Sequence, residues 1–432
     1  MRRSRLRAYL VATCVLAFVG SSASACVIIA GLEAPASPPP PVADAATEDG
    51  PPLPDLPPDA GATCDPCVTA IAAGFRHTCV AIRDQPPRCW GDNSLGQLGV
   101  PDASPETRGV PHALDLPPAA LVGAGGFRNE DHSFSCATTA DGALHCWGDN
   151  ANGQLGRGAG GFSATPVAVA AGPGVTYLGV GGAHVCTVHF GGELKCWGHG
   201  QNGQIGRVIA SDPTPKIVAL PRPARAVATG GFHTCVLLDD GTVQCFGLNN
   251  VRQLGHDGTN TAIPATVQGL GPVKHLALGW AHSCAVLEDG TMQCWGYDDH
   301  GQLGQGKVGA SATFPGPVHL PAGRSALMGC AGQVHSCALL DDATVACWGS
   351  NRRGQVGTGT VLSDTVADPP IVLTPTVVEG VTNVRSIACG FAHTCALHES
   401  GRVTCWGTNE SGELGRRTAD TRPHPEPAPV VF

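Results

Sequence analysis

Seven times this chain sets two cysteines with nine residues between them: Cys79/Cys89, Cys136/Cys146, Cys186/Cys196, Cys235/Cys245, Cys284/Cys294, Cys337/Cys347 and Cys395/Cys405. Thiols in pairs can cross-link, hold a metal or attack as nucleophiles. Common zinc sites use C-x-x-C knuckles, which this spacing does not supply, so no metal is assigned. A histidine stands two residues before the first cysteine in six units, as His77, His184, His233, His282, His335 and His393, whereas His132 precedes Cys136 by four. One histidine recurring at one position reads as a structural hydrogen bond that fixes the turn of its own unit. Asp239-Asp240, Asp298-Asp299 and Asp341-Asp342 could suggest calcium, but none fits an EF-hand loop and aspartate is favoured in turns. The chain has no Gly-x-Ser-x-Gly elbow, no phosphate loop and no isolated acid–base pair. No catalytic residue and no cofactor is therefore expected.

The elements that must position these cysteines follow from the period. Equivalent cysteines lie 57, 50, 49, 49, 53 and 58 residues apart, which marks a repeat architecture. In the last unit, Val384–Ala388, His393–Leu397 and Arg402–Gly407 read as strands, broken at Gly390 and turned at Glu399-Ser400-Gly401. If Cys395 opposes Cys405, His398 opposes Arg402 and three residues remain in the loop. Such loops place a left-handed residue, usually glycine, last. Gly401 stands there, as do Gly142, Gly192, Gly241 and Gly290. Ala343 in unit six and Gln85-Pro86-Pro87 in unit one break the pattern, so those two turns are expected to differ. Directly opposed strand residues lie within disulfide range, so seven hairpin disulfides are predicted.

After each second cysteine comes an aromatic, then a Gly-Gln-Leu-Gly-like cluster. Examples are Trp147…Gly153-Gln154-Leu155-Gly156, Phe246…Arg252-Gln253-Leu254-Gly255 and Trp406…Gly412-Glu413-Leu414-Gly415. The aromatic points away from the disulfide and can pack on the neighbouring unit. A later extended piece, such as Ala265-Thr266-Val267 or Pro429-Val430-Val431, would form an outer strand. With the Gly-x-x-His-[Thr/Ser]-Cys and Cys-Trp-Gly elements, these residues resemble the repeat of the regulator of chromosome condensation family from Val68 to Phe432. The resemblance implies an all-β fold, a seven-bladed β-propeller of four-stranded blades around a channel.

Within residues 64–432 four cysteines stand outside the repeated pairs, and we pair Cys64 with Cys67 and Cys330 with Cys389, one of three possible connectivities. Twenty cysteines, fourteen of them in regularly spaced pairs, point to an oxidising compartment. Arg2, Arg3, Arg5 and Arg7 precede the short apolar run Ala8–Gly20, so residues 1–25 read as an export signal. Ala23-Ser24-Ala25-Cys26 resembles the lipobox of bacterial lipoproteins, with Ala23 where leucine is usual, which makes Cys26 the expected lipid attachment site. Residues 26–63 are a proline-rich tether and 64–432 the propeller. Loss of the four arginines of the signal takes the net charge from −9 to −13, which disfavours nucleic acid.

The expected product is a monomeric, non-enzymatic protein-recognition or scaffold propeller on a bacterial envelope, touching membrane only through lipid, or else secreted. Its partner is an unknown protein. The loops on one propeller rim, with the channel mouth, are expected to form the contact surface, and the variable segments Val100–Leu121, Arg128–Asp131 and Thr358–Val381 are its best candidates. Family likeness also implies guanine-nucleotide exchange, against which the export signal counts. A propeller enzyme would need an acid–base cluster in the channel mouth.

Overall fold

The structure, a computed structural model, describes residues 64–101, 109–127, 132–158, 160–359 and 371–432. Cys26, the segment 128–131 and the centres of the other two variable segments lie outside the described residues. In blade one, β1 (Val68–Ala73) pairs with β2 (His77–Ile82), β2 with β3 (Gln85–Gly91), and β3 with β4 (His112–Ala113). Six further four-stranded antiparallel sheets repeat this order over Ala119–Ala168, Val175–Ile217, Ala224–Thr266, Val273–Pro317, Ala326–Val377 and Val384–Pro429. The fold is a seven-bladed propeller. No helix among the described residues is long and apolar enough to cross a membrane.

Each hairpin places its two cysteines directly opposite one another. The register pairs Cys79 with Cys89, Cys136 with Cys146, Cys186 with Cys196 and Cys235 with Cys245. It likewise pairs Cys284 with Cys294, Cys337 with Cys347 and Cys395 with Cys405. All seven are disulfide-bonded, at a Cα separation of 4.1 Å in Cys235–Cys245 and in Cys395–Cys405. Cys64 is bonded to Cys67, and Cys330 to Cys389 across the seam between blades six and seven. In the last hairpin His398 N–H donates to the Arg402 carbonyl at 2.8 Å, and Gly401 has φ +79°.

The turn of unit six corrects the sequence reading. Ala343 takes φ +60° and closes the same three-residue loop, its N–H donating to the Leu340 carbonyl at 3.0 Å. The opposed disulfide and a matched ladder hold an ordinary residue in a conformation that costs it roughly 1 kcal/mol. Unit one does differ: Ile82 pairs with Gln85, so only Arg83 and Asp84 turn the chain. The outer strands also begin earlier than expected, at Thr261–Thr266 and Asp420–Pro429. Val267 and Val430 come after them, buried beneath Gly255 and Gly415, where their methyls fill the blade interior.

Neighbouring blades are joined by a recurring triangle. Trp295 Nε1 donates to the Gln253 carbonyl at 2.9 Å, and Ser283 Oγ donates to the same oxygen at 2.8 Å. His233 Nε2 meets that Ser283 hydroxyl at 2.9 Å. Because the hydroxyl's proton is committed to the carbonyl, His233 must be the donor, which fixes its tautomer. The histidine therefore bridges to the next blade rather than fixing its own turn. The same contact links His77 to Ser135, His184 to Thr234, His282 to Ser336, His335 to Thr394 and His393 to Thr78. Blade two has Phe134 at this position and blade three answers with Val185, both fully buried. Replacing both partners by apolar groups leaves no orphaned polar atom.

Candidate functional site: the channel mouth

The glycine before each histidine is set by space. A Cβ on Gly332 would stand 2.2 Å from His335 Cε1, so only glycine lets the ring lie flat beneath the chain. The two residues between glycine and histidine differ from blade to blade, and in each of the six blades with this frame at least one of them lines the channel or the cleft above it. Blade one supplies Phe75 and Arg76, blade four Phe232, blade five Trp280 and blade seven Phe391.

These aromatics converge. Phe75 and Phe391 meet edge to face at 4.6 Å, and Phe232 meets Trp280 at 5.3 Å. Phe127 of blade two joins them, 5.1 Å from Phe232. Beneath them the channel narrows to a cavity of about 100 Å³ lined largely by glycine backbone. Above them opens a cleft of about 620 Å³, floored by Phe75, Phe232, Trp280 and Phe391. Its rim carries Arg76, Arg352, Arg353 and Glu410, with Tyr297 and His300 on the blade-five side. Glu410 lies between two arginines, 2.8 Å from Arg353 and 4.0 Å from Arg76.

One group in the cleft is electrostatically odd. Six blades place a glutamine in the Gly-Gln-Leu-Gly cluster, and blade seven places Glu413, fully buried. Its Oε2 accepts the Ser411 N–H at 2.8 Å, while Oε1 has no hydrogen-bond partner among the described residues. Burial pushes this carboxyl up to about 7; backbone donors and Arg76 oppose the shift and Glu410 adds to it. Asp298, also buried, is pushed up to about 6 by desolvation. It sits in the blade-five loop, where its Oδ1 accepts the Leu303 N–H at 3.1 Å, and not in a hairpin turn. Asp240, Asp289 and Asp342 do occupy hairpin turns, each accepting from the threonine two residues on.

The strand order puts the Gly-x-x-His loops and the Gly-Gln-Leu-Gly loops on one face, and the disulfide hairpin turns on the other. The channel mouth was expected to share in the contact surface, but no residue of the cleft was named for it from the sequence. Its signal was the unlike residues inside a fixed Gly-x-x-His frame, together with the single glutamate among seven copies.

The sequence-named hairpin cysteines take no part in the cleft. Cys89, Cys146, Cys196, Cys245, Cys294, Cys347 and Cys405 sit on the third strand of their blades, fully buried, and each is bonded to its partner on the second strand. They pack into the apolar cores between blades, so they act as staples of the scaffold and offer nothing to a ligand. Cys330, Cys337 and Cys389 bring their sulfurs within 4.8 Å of one another, but all three are disulfide-bonded.

Residues 62–376 match the model of the RCC1-like domain, and residues 384–413 match the regulator of chromosome condensation (RCC1) repeat. Among sequence relatives, protein pim1 of Schizosaccharomyces pombe is 36% identical over 95 residues, 21% of this chain and 18% of pim1. Human protein RCC2 is 34% identical over 100 residues, 23% of this chain and 17% of its own length. The chain thus spans less than a fifth of the length of either relative. Yeast RCC1 (Prp20), solved bound to Kap60, superposes with a TM-score of 0.70 at 23% identity, over 80% of this chain and 83% of that one. Prp20p of Saccharomyces cerevisiae, described with its binding properties to Gsp1p and histones, gives 0.71 at 22%, over 85% and 88%. At such identity the likeness speaks for the fold alone. With nearly three-quarters of its length matched to the family model, the chain belongs to the RCC1-like domain family.

Proposed function

We propose that this protein is a non-enzymatic recognition propeller, exported and held at a cell envelope by lipid on Cys26, which docks a partner protein at its channel mouth as a monomer. One observation carries the docking reading: aromatic rings and arginines gather at the channel mouth, where the seven units differ. Aromatic and arginine side chains supply most of the binding energy at protein interfaces. The nine disulfides among the described residues support an oxidising location. That location is foreign to nucleotide exchange on a cytosolic GTPase, the activity implied by family likeness. A catalytic reading would need an acid–base pair at Glu413, and none of the described groups hydrogen-bonds its free oxygen.

Two experiments test this. Capture of envelope proteins by the full chain should be lost in Phe391→Ala while Phe190→Ala, exposed and remote from the cleft, retains it. Equal capture by both variants would move the site elsewhere. Cys26→Ser should shift the chain from the membrane to the soluble fraction, and continued membrane association would remove the lipid anchor from the account.

A further inference from the structure

We infer that the channel mouth is a carboxylate-binding cleft, taking an acidic side chain flanked by apolar ones from a loop of the partner protein. This rests on the docking reading above and adds the chemistry of what docks. At about 620 Å³ the cleft has room for two or three side chains. The chain carries a formal charge of −9, yet three arginines face two glutamates here. Glu410 is taken up by Arg76 and Arg353, and exposed Arg352 has no ion-pair partner among the described residues.

Glu413 points the same way. In every blade this side chain accepts the N–H two residues before it. In blades one to four the glutamine amide also donates, as Gln97 Nε2 does to Asp92 Oδ2 at 2.9 Å and Gln253 Nε2 to Asn250 Oδ1 at 3.3 Å, whereas Gln302 Nε2 in blade five has no partner among the described residues. Glu413 keeps the acceptance common to all seven blades, and what it lacks is the donation made in four of them. A glutamate donates only when protonated, and blade seven, with Thr408 where Asp92 stands in blade one, offers its free oxygen no acceptor. An incoming carboxylate supplies that acceptor, as Arg352 supplies the counter-charge. The aromatic floor accommodates the apolar neighbours, and aromatic contact beside arginine is common at interface hot spots.

Proton uptake follows from the same geometry. Arg76 from blade one and Glu410 in its own loop act on Glu413, and Arg352 and Arg353 from blade six and Tyr297 and His300 from blade five line the same cleft. With its carboxyl titrating at about 7, the protonated fraction falls roughly tenfold between pH 6 and pH 8, and apparent affinity falls with it. A partner aspartate, with a pKa of about 4, stays ionised throughout.

The test is calorimetric titration of the full chain with a capped Gly-Phe-Asp-Phe-Gly peptide and with its Asn and Lys counterparts, at pH 6 and pH 8. The Asp peptide should bind about tenfold more tightly at pH 6, with the Asn peptide weaker and the Lys peptide silent. Glu413→Gln, which restores the residue of the other six blades, should keep binding and abolish the pH dependence. Arg352→Ala should weaken the Asp peptide several-fold at unchanged melting temperature. Preference for the Lys peptide, tighter binding at pH 8, or no heat from any peptide at millimolar concentration would each overturn the inference. If the peptides fail while Phe391→Ala still abolishes partner capture, docking at the mouth stands and only its carboxylate chemistry is lost.

Discussion

The imidazole of His233 serves two blades at once, and burial dictates its state. Desolvation drives His184, His233, His282, His335 and His393 down to about 3, and His77 to about 4. In the unfolded chain these rings titrate near 6.5. Between those values the unfolded state takes up protons that the native state refuses, so stability rises with pH across this window. It is full above about pH 6.5 and is lost on acidification, each ring adding up to ~1.4 kcal/mol per pH unit. Urea midpoints should therefore fall steeply from pH 7 to pH 5, above the range of ordinary carboxylates. A flat midpoint over that range would contradict the neutral, buried assignment. The apolar exception makes a sharper test. Phe134→His alone should destabilise by about 2 kcal/mol, because it buries a ring nitrogen without a partner. Adding Val185→Ser should recover part of that loss, with a favourable coupling of roughly 1 kcal/mol in a double-mutant cycle. Strict additivity would mean the hydroxyl does not receive the ring.

At the scale of the element, the hairpin was legible because three independent signals agree in one register. Cysteine spacing, the glycine of the turn and the alternation of the tryptophan each fix the same pairing. What sequence reasoning could not see was how strongly that pairing constrains its exceptions, which is why Ala343 was expected to turn differently and does not. Removing one clasp should be a local event. Cys235→Ala with Cys245→Ala opens a loop of about ten residues and should cost ~3 kcal/mol by chain entropy. Differential scanning calorimetry checks the cost, and an unchanged melting temperature would show that the bond adds nothing to a hairpin already fixed by its ladder. Outer strands show a second device. Pro166, Pro213, Pro215, Pro264, Pro315, Pro317, Pro375 and Pro423 lie on the outermost strands of blades two to seven. Proline has no N–H to offer, so these exposed edges resist pairing with another sheet.

The whole ring depends on a junction that no single repeat specifies. Every blade is built from contiguous chain, so blade seven meets blade one with no shared strand to clasp them. The ordinary inter-blade contacts close it: Trp90 Nε1 donates to the Glu413 carbonyl at 2.8 Å, His393 meets Thr78 at 3.0 Å, and Phe391 N–H donates to the Gly74 carbonyl at 3.1 Å. Phe432 adds its edge to Trp90 at 5.9 Å. The propeller was readable because seven copies repeat one set of packing rules. The mouth was not, because Phe75, Trp280 and Phe391 become neighbours only when the ring closes, and spacing along the chain does not encode that meeting. Glu413 thus sits where the ends of the propeller meet, its carbonyl closing the ring and its carboxyl facing the cleft. The most direct test of recognition at this mouth is hydrogen–deuterium exchange on the full chain, free and with a captured partner. The account predicts added protection in the loops bearing Arg76, Phe232, Trp280, Arg352, Phe391 and Glu410, with the disulfide hairpin turns of the opposite face unchanged. Protection confined to those hairpin turns or to the outer strands, with the mouth exchanging as in the free protein, would contradict it.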